Sequence, residues 1–298
     1  MISVNPQAIF RMEKQINSDR IQPDKAKPMV DYQTAVESRL TQIERLLQKI
    51  KKNFDEDDIH NFRVEVKKLK AVLRLYQLFS ADPSIYKFPK NLNKGYKDLG
   101  GLREWQIQHE KVCSVCRQAK INKPIKYLDK IHQKTTNCKQ KARSSLAKIS
   151  FLGKNKKRLK LKFPDLQVSD AKERFIHSNL LAVKNLFDQG VQDDDSMHEM
   201  RKLLKDIQYI LSLTEEKKVR NGVASSFNDI RTVNRKLGDF HDLRVAVQLI
   251  DRELRVPHKT QEENKILRAI NKQWRKEKEK LKGEALTSCK NLVYAQNA

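Results

Sequence analysis

The chain has 298 residues, with 62 Lys and Arg against 37 Asp and Glu, which gives a formal net charge of +25 at pH 7. Apolar residues make up 38% of it, enough for helical cores, and the eight glycines are too few for a sheet-rich or loop-rich fold. The charge predicts a polyanionic partner: nucleic acid, an acidic membrane or polyphosphate. Because no apolar run is long enough to span a bilayer and the start, MISVNPQAIFRMEKQ, lacks a signal-peptide core, we expect no membrane insertion.

Four cysteines lie at positions 113, 116, 138 and 289. Cys113 and Cys116 form a CxxC pattern in a helical context, without a second CxxC or a histidine pair of zinc-finger spacing. Small core residues are therefore a better interpretation than a zinc or redox site. Free thiols without a signal sequence favour a reducing cytoplasm. We expect a cytoplasmic protein without a metal or cofactor.

The apolar and charged patterns divide the chain into two helical halves, so the predicted fold is all-α. The predicted segments are an N-terminal arm at 1–27 and a domain at 28–298, which contains a first half at 28–153, a basic linker at 154–170 and a second half at 171–298. Helices are expected at about 30–52, 59–79, 90–99, 102–118, 125–149, 171–189, 196–212, 217–253 and 261–295. The Gly100-Gly101 pair is expected to break or bend the helix that contains it.

The segment from Ile59 to Phe79 is central to the interpretation. It contains no proline or glycine, and the acidic run at 55–58 supplies an N-cap candidate and favourable charge at the helix start. Its apolar residues follow a helical rhythm: Ile59, Phe62, Val66, Leu69, Leu73 and Tyr76. A cationic row follows the same rhythm one residue later: His60, Arg63, Lys67, Lys70 and Arg74.

Rows of Lys and Arg are most often solvated helix faces. This row, however, contains no acid at i+3 or i+4, so its like charges repel one another. It also borders the apolar face instead of opposing it, which directs it along a groove between helices. Both features are typical of a surface that binds an external anion.

The segment recurs in the second half. HNFRVEVK at 60–67 returns as HEMRKLLK at 198–205, an offset of 138 residues (198 − 60). The pair LG at 99–100 returns as LG at 237–238 with the same offset. Two repeated motifs in one register indicate an internal duplication.

These four blocks, HxxRVxxKKLK, LGxLRExxI, HxxRxxxK and LGxxHDxxV, resemble the CHAD family, the conserved-histidine α-helical domain, over nearly the whole chain from about residue 30. The resemblance implies two four-helix bundles related by a pseudo-two-fold axis, with a basic central groove that binds inorganic polyphosphate. The family's histidines match His60 and His198. The second copy is less basic, because Lys70 and Arg74 correspond to Gln208 and Ser212 and Arg103 corresponds to His241.

The candidate polyphosphate-binding residues combine the cationic row, its repeat and nearby basic positions. They are Arg39, His60, Arg63, Lys67, Lys70, Arg74, Lys94, Lys97, Arg103, His177, His198, Arg201, Lys202, Lys205, Arg231 and Arg235. Glu104 and Asp242 are expected to pair with groove arginines. Guanidinium groups bind phosphate oxygens bidentately, and lysines act as mobile point charges.

Three functions remain open. The favoured one is non-enzymatic polyphosphate binding, with targeting to polyphosphate granules as what the resemblance suggests. The second is nucleic-acid backbone binding, which is weakened because aromatic residues of the main helix fall on its core side. The third is a metal-dependent phosphohydrolase, disfavoured because His60 and His198 have no His or carboxylate at i+4 and lie among cations. The oligomeric state is left open.

Overall fold

Eight α-helices account for most of the part of the chain that the computed structural model describes, which is residues 32–79, 88–149, 168–190, 193–212, 223–256 and 260–294. The helices are α1 (Tyr32–Asn53), α2 (Glu56–Phe79), α3 (Lys90–Ala119), α4 (Ile125–Ala147), α5 (Val168–Asp188), α6 (Asp194–Leu211), α7 (Val223–Leu254) and α8 (Gln261–Tyr294). No strand occurs in these residues. The predicted all-α fold class is confirmed.

Side-chain caps fix where the two cation-bearing helices begin. At the start of α2, the Asp55 carboxylate accepts hydrogen bonds from the backbone N–H groups of Asp57 and Asp58, each at 3.0 Å. At the start of α6, the Asp193 carboxylate accepts one from the Ser196 N–H at 2.7 Å. Acidic first turns add favourable charge at the positive ends of both helix dipoles.

The expected break at Gly100-Gly101 is wrong, because α3 runs without interruption through both glycines. Leu99 and Leu102 are buried on either side of the pair and hold both parts of the helix against the core. Burial of apolar side chains thus outweighs the loss of helix propensity, about 1 kcal/mol per glycine. The glycines have a different use, which becomes clear at the site.

The helices of the second half surround one hydrophobic core. Its buried residues come from α5, α6, the first part of α7 and the last part of α8, and include Met200, Leu204, Leu237 and Cys289. In the first half, α1 packs on α2 and α3 packs on α4. Gly95 on α3 lies close to Leu146 and Ile149 at the end of α4.

A further core joins the two halves, which the expectation of two bundles did not include. The last part of α3 and the start of α4 pack against the last part of α7 and the start of α8. Tyr127, Ile131, Ile250 and Trp274 are buried there. The hairpin of α3 and α4 and the hairpin of α7 and α8 therefore extend beyond their own halves and pack on one another.

The halves also meet where α2 packs against α6. There the Arg74 guanidinium donates through Nε to Asp206 Oδ2 at 2.6 Å and through Nη2 to Asp206 Oδ1. Asp206 is 8% exposed, so this ion pair ties α2 to α6 through a buried carboxylate. Arg74 was expected to be a free cation, and the structure instead gives it a partner in the other half.

The internal duplication, the pseudo-two-fold axis and the domain boundaries stay predictions. The N-terminal arm and most of the linker, residues 154–167, lie outside the described residues. All described residues belong to one unit, from Asp31 to Ala298. None of the helices in the described ranges combines the length and apolar character that a membrane span needs.

Candidate functional site

Four cations lie close together where α2 and α6 meet, and we call them the central cluster: Arg63, Lys67, Arg201 and Lys205. All four are partly buried. Burial, together with the charges of the other three cations, lowers the pKa of Lys67 to about 8. Within the described ranges, no carboxylate forms an ion pair with any of them. The fold therefore concentrates positive charge and leaves it uncompensated.

A tyrosine and a helix backbone hold Arg63 in place. Its Nη1 donates to the backbone carbonyl of Tyr96 at 2.9 Å, and its guanidinium carbon lies 4.7 Å from the centroid of the Tyr96 ring. Neither contact brings a full negative charge. Arg63 is thus positioned and remains available to an anion.

Gly100 makes this position possible. A Cβ on Gly100 would overlap Arg63 Nη1, so only glycine lets the guanidinium lie against α3. The equivalent in the second half is less crowded, because a Cβ on Gly238 would lie 3.9 Å from Arg201 Nε. The first half therefore packs its arginine more closely than the second.

Lys70 is held in the same way beside the cluster. Its Nζ lies 4.4 Å from the Tyr96 ring centroid and 4.7 Å from that of Phe88. It also donates to Asn93 Oδ1 at 2.8 Å. Burial, and after it the charges of Arg74, Lys97 and Arg63, lower the pKa of Lys70 to about 8.

Lys205 also has neutral partners, since it donates to Gln208 Oε1 at 3.0 Å and lies 5.8 Å from the Tyr209 ring centroid. Burial lowers its pKa, and Arg201 and Arg231 lower it further. Rings and amides, and not carboxylates, thus orient Lys70 and Lys205.

Other predicted site residues are paired with acids, contrary to the expectation of a row without counter-ions. Besides Arg74 with Asp206, the pairs are Arg39 with Glu65 at 3.0 Å, Lys94 with Asp98 at 2.9 Å, Arg103 with Glu56 at 2.6 Å and Lys202 with Glu199 at 2.7 Å. Sequence periodicity did not predict these pairs, because in Arg39, Arg74 and Arg103 the acid lies on a different helix.

The remaining predicted residues differ in how close they lie to the cluster. Partial burial lowers the pKa of His60, and Arg103, Lys67 and Arg63 lower it further. In the same way, the charge of Lys97 lowers the pKa of Lys70, and that of Arg231 lowers the pKa of Lys205. His177 and Arg235 are exposed, and the described residues provide no contact that links them to the cluster.

Glu104 and Asp242 approach the cluster without forming the expected ion pairs with its arginines, as judged from the described residues. Partial burial raises the pKa of both carboxyls. Arg252 and Arg63 oppose this effect at Glu104, and Arg201 is the main opposing charge at Asp242. Both acids therefore influence the cluster's field from a distance.

His241 is a site residue that the sequence did not predict. Its ring stacks on His198, with centroids 5.0 Å apart and planes at 26°. Burial, and after it the charges of Arg201, His198, Arg244 and Lys67, lower the pKa of His241 to about 3. His241 occupies the position in the second half that corresponds to Arg103 in the first, and this correspondence was the signal that could have identified it.

The stacked histidines lie at a cavity of about 290 Å³, which we call the histidine pocket. Its polar walls come from three helices and consist of Glu104 on α3, Asp195 and His198 on α6, and His241, Arg244, Gln248 and Arg252 on α7. Within the described ranges, no three His, Cys, Asp or Glu side chains come together as a metal site would require.

The comparison with known proteins agrees with this architecture. The family model of the CHAD domain matches residues 34–251, so the chain belongs to the CHAD family. The crystal structure of the CHAD domain from the plant Ricinus communis has the same fold, with a TM-score of 0.70 over 92% of this chain and 97% of that chain. Its sequence is 13% identical. No curated protein matches the chain.

We predict that Lys67→Met makes the unliganded protein more stable at pH 7. The folded-state pKa of Lys67 is about 8 against its ordinary value of 10.5, so the unfolded chain binds more protons between these values. The parent therefore gains stability as pH rises from about 8 to 10.5, and the variant's advantage shrinks over that window. Melting temperatures of both proteins across this range test the prediction.

Lys134→Met is the control, because Lys134 is exposed on α4. Its melting-temperature difference from the parent should be small and should not follow the same pH course. A stability advantage of Lys67→Met that does not change with pH would contradict a lowered pKa of Lys67 in the folded protein.

Proposed function

We propose that the chain binds inorganic polyphosphate, without chemical turnover, along the central cluster and the cations beside it. The observation that supports this most directly is the cluster itself. Arg63, Lys67, Arg201 and Lys205 come from two helices, lie within one another's field and have no carboxylate partner among the described residues. Such a concentration of half-buried charge costs stability unless an anion relieves it.

The chemistry of the cluster suits a phosphate chain. Two guanidinium groups offer bidentate contacts to phosphate oxygens, and two ammonium groups offer point charges that adjust to the chain. On each helix the Arg and Lys are four residues apart, which corresponds to roughly 6 Å along the axis. A flexible chain with about one charge per phosphate can meet this spacing on both helices.

The neighbouring cations extend the surface beyond the four central groups. Lys70 and Lys97 lie on one side of Arg63, and His60 lies on the other side with Arg103. Arg231 lies beside Lys205. A chain longer than the cluster therefore meets further positive charge beside Lys70 and Lys205, while Arg103 on the His60 side is already paired with Glu56.

Binding without turnover is the proposal because the histidines are surrounded by cations. Arg103, Lys67 and Arg63 all lower the pKa of His60, and Arg201, Lys202 and Arg244 lower that of His198. The same charges oppose the approach of a catalytic metal ion. We propose that the protein acts in the cytoplasm and is directed to polyphosphate granules by this binding.

The first test is the double variant Arg63→Ala with Lys67→Ala. Two charged contacts to phosphate are removed, so the dissociation constant for polyphosphate should rise by at least about tenfold. The melting temperature should fall little, because relief of repulsion offsets the lost contacts. Isothermal titration calorimetry and thermal unfolding measure the two effects.

The control carries the same change of net charge elsewhere. Lys134→Ala with Lys141→Ala removes two exposed cations of α4. If this control weakens binding as much as the cluster variant does, overall charge and not the cluster determines affinity.

A second test uses the two adjacent glycines. In Gly100→Ala the new methyl displaces the Arg63 guanidinium, so affinity should fall by about tenfold, the value of one lost charged contact. Helix stability should not suffer, since alanine favours a helix by about 1 kcal/mol. Gly101→Ala is the matched control, because its Cβ would lie 3.9 Å from Cys138 Sγ in ordinary contact. Equal affinities of the two variants would show that the position of Arg63 is unimportant.

Nucleic-acid backbone binding is the second candidate, favoured by two aromatic rings beside the cations. Phe88 and Tyr96 both lie next to Lys70, and aromatic rings near cations can stack on bases. Here, however, both rings already contact Lys70, and a base would have to displace it. We therefore favour a ligand without bases.

Competition distinguishes the two ligands. At equal phosphate concentration and near-physiological salt, polyphosphate should displace labelled mixed-sequence single-stranded DNA more effectively than unlabelled DNA of the same type does. The salt concentration must be held constant, because every phosphate contact depends on it. Equal competition would favour a general polyanion-binding surface.

A further inference from the structure

The histidine pocket differs from the central cluster in its chemistry. The cluster consists only of hydrogen-bond donors, because guanidinium and ammonium groups have no acceptor. In the pocket, Arg244 is already paired with Asp195 at 2.8 Å, while Arg252 supplies a further donor and Glu104 a further carboxylate. Its two imidazoles add groups that donate or accept according to tautomer.

The arrangement of the two histidines leaves one ring nitrogen on each for a ligand. The Nδ1 atoms of His198 and His241 are buried and have no hydrogen-bond partner among the described residues. Both rings line the pocket, and the other ring nitrogen, Nε2, is the atom that the proposed contact uses.

The pocket adjoins the cluster through two of its walls. His241 lines the pocket and also lies within the field of Arg201 and Lys67. Glu104 lines it and lies within the field of Arg63. A phosphate chain that lies on the cluster can therefore continue into the pocket.

The first half has a different arrangement at the corresponding place. Arg103, which corresponds to His241 in the repeat, is bound to Glu56 at 2.6 Å. His60, which corresponds to His198, is exposed. The stacked histidines and their mixed donors and acceptors thus occur on one side of the cluster.

Internal and terminal phosphates of a linear chain make different hydrogen bonds. An internal phosphate is a strong acid, so its oxygens only accept, and a cluster of pure donors satisfies it. A terminal phosphate has a second ionisation with a pKa of about 6 and can keep an O–H that donates. Carboxylates and imidazole lone pairs repel the oxygens of an internal phosphate, but they accept a hydrogen bond from the O–H of a terminal phosphate.

We infer that the histidine pocket receives the terminal phosphate of a polyphosphate chain whose internal phosphates lie on the central cluster. This inference rests on the proposed function. In the bound state, Arg252 donates to the terminal oxygens, while Glu104 or an imidazole Nε2 accepts the terminal O–H. The protein then recognises the end of the chain in addition to its charge.

The test compares chains of one length whose two ends are free or methyl-esterified. Measured near pH 6, where about half of the free terminal groups keep the proton, the parent should bind free-ended chains about tenfold more tightly. In His241→Leu the ratio of the two dissociation constants should fall towards the small value that the lost end charges alone produce. Arg252→Gln, at an exposed position, tests the same wall if His241→Leu fails to fold.

Lys205→Gln is the matched control, since it lies in the cluster and should weaken both kinds of chain while the ratio stays at the parent value. Equal affinity of the parent for free and capped chains, or a ratio that the pocket variants leave unchanged, overturns end recognition while polyphosphate binding stands. Failure of the parent to bind either chain overturns the proposed function and the inference together.

Discussion

The stability of the fold depends on how it accommodates four like charges where α2 packs against α6. Arg63, Lys67, Arg201 and Lys205 are partly buried, so each has lost part of its hydration without gaining a carboxylate among the described residues. The lost hydration and the lack of a carboxylate partner both oppose folding. They are offset by the apolar faces of the same helices, where Phe62 and Met200 are fully buried, and by the cores on either side. The cluster therefore destabilises the fold locally, and the burial of the surrounding apolar side chains compensates for this.

The acids of the fold are placed so that they stabilise the frame without neutralising the site. Asp206 binds Arg74 across the two halves, and Glu65 binds Arg39 together with Lys68. Glu65 and Asp206 are buried, so these pairs fix geometry. The cluster, by contrast, is oriented by a backbone carbonyl, an amide and aromatic rings. The same residue types therefore serve as structural ties in one place and as free charge in another.

Local pattern was sufficient to predict most of the fold. The apolar rhythm from Ile59 to Tyr76 placed α2 and its core face, and the acidic run before it placed the start of the helix. The repeated His-Arg-Lys spacing brought Arg63 and Arg201 into one hypothesis, and the structure places their helices in contact. The first two predictions succeed because each depends on residues within a few turns of one another, and the third succeeds because the same local motif occurs twice.

The errors involve contacts that are distant in sequence. Arg74 and Asp206 are 132 residues apart, so periodicity within α2 could not show that Arg74 has a partner. The Gly100-Gly101 pair was expected to break or bend its helix, and the sequence could not show that the small size of Gly100 accommodates an arginine on another helix. The core that joins the hairpins and the stacking of His241 on His198 likewise depend on tertiary packing, which one helix's pattern does not contain.

Net charge alone does not identify the binding surface, as α4 demonstrates. It carries six Lys and Arg against one Asp, the most one-sided ratio of any described helix, yet it contributes nothing to the cluster. Lys134 and Lys141 are exposed and fully hydrated, so contact with an anion would have to remove water from both partners. At Lys67 and Arg63 folding has already removed much of that water. A phosphate that arrives there gains the electrostatic attraction without the full desolvation cost, and for this reason we propose that partial burial, more than the number of cations, makes the cluster the stronger site.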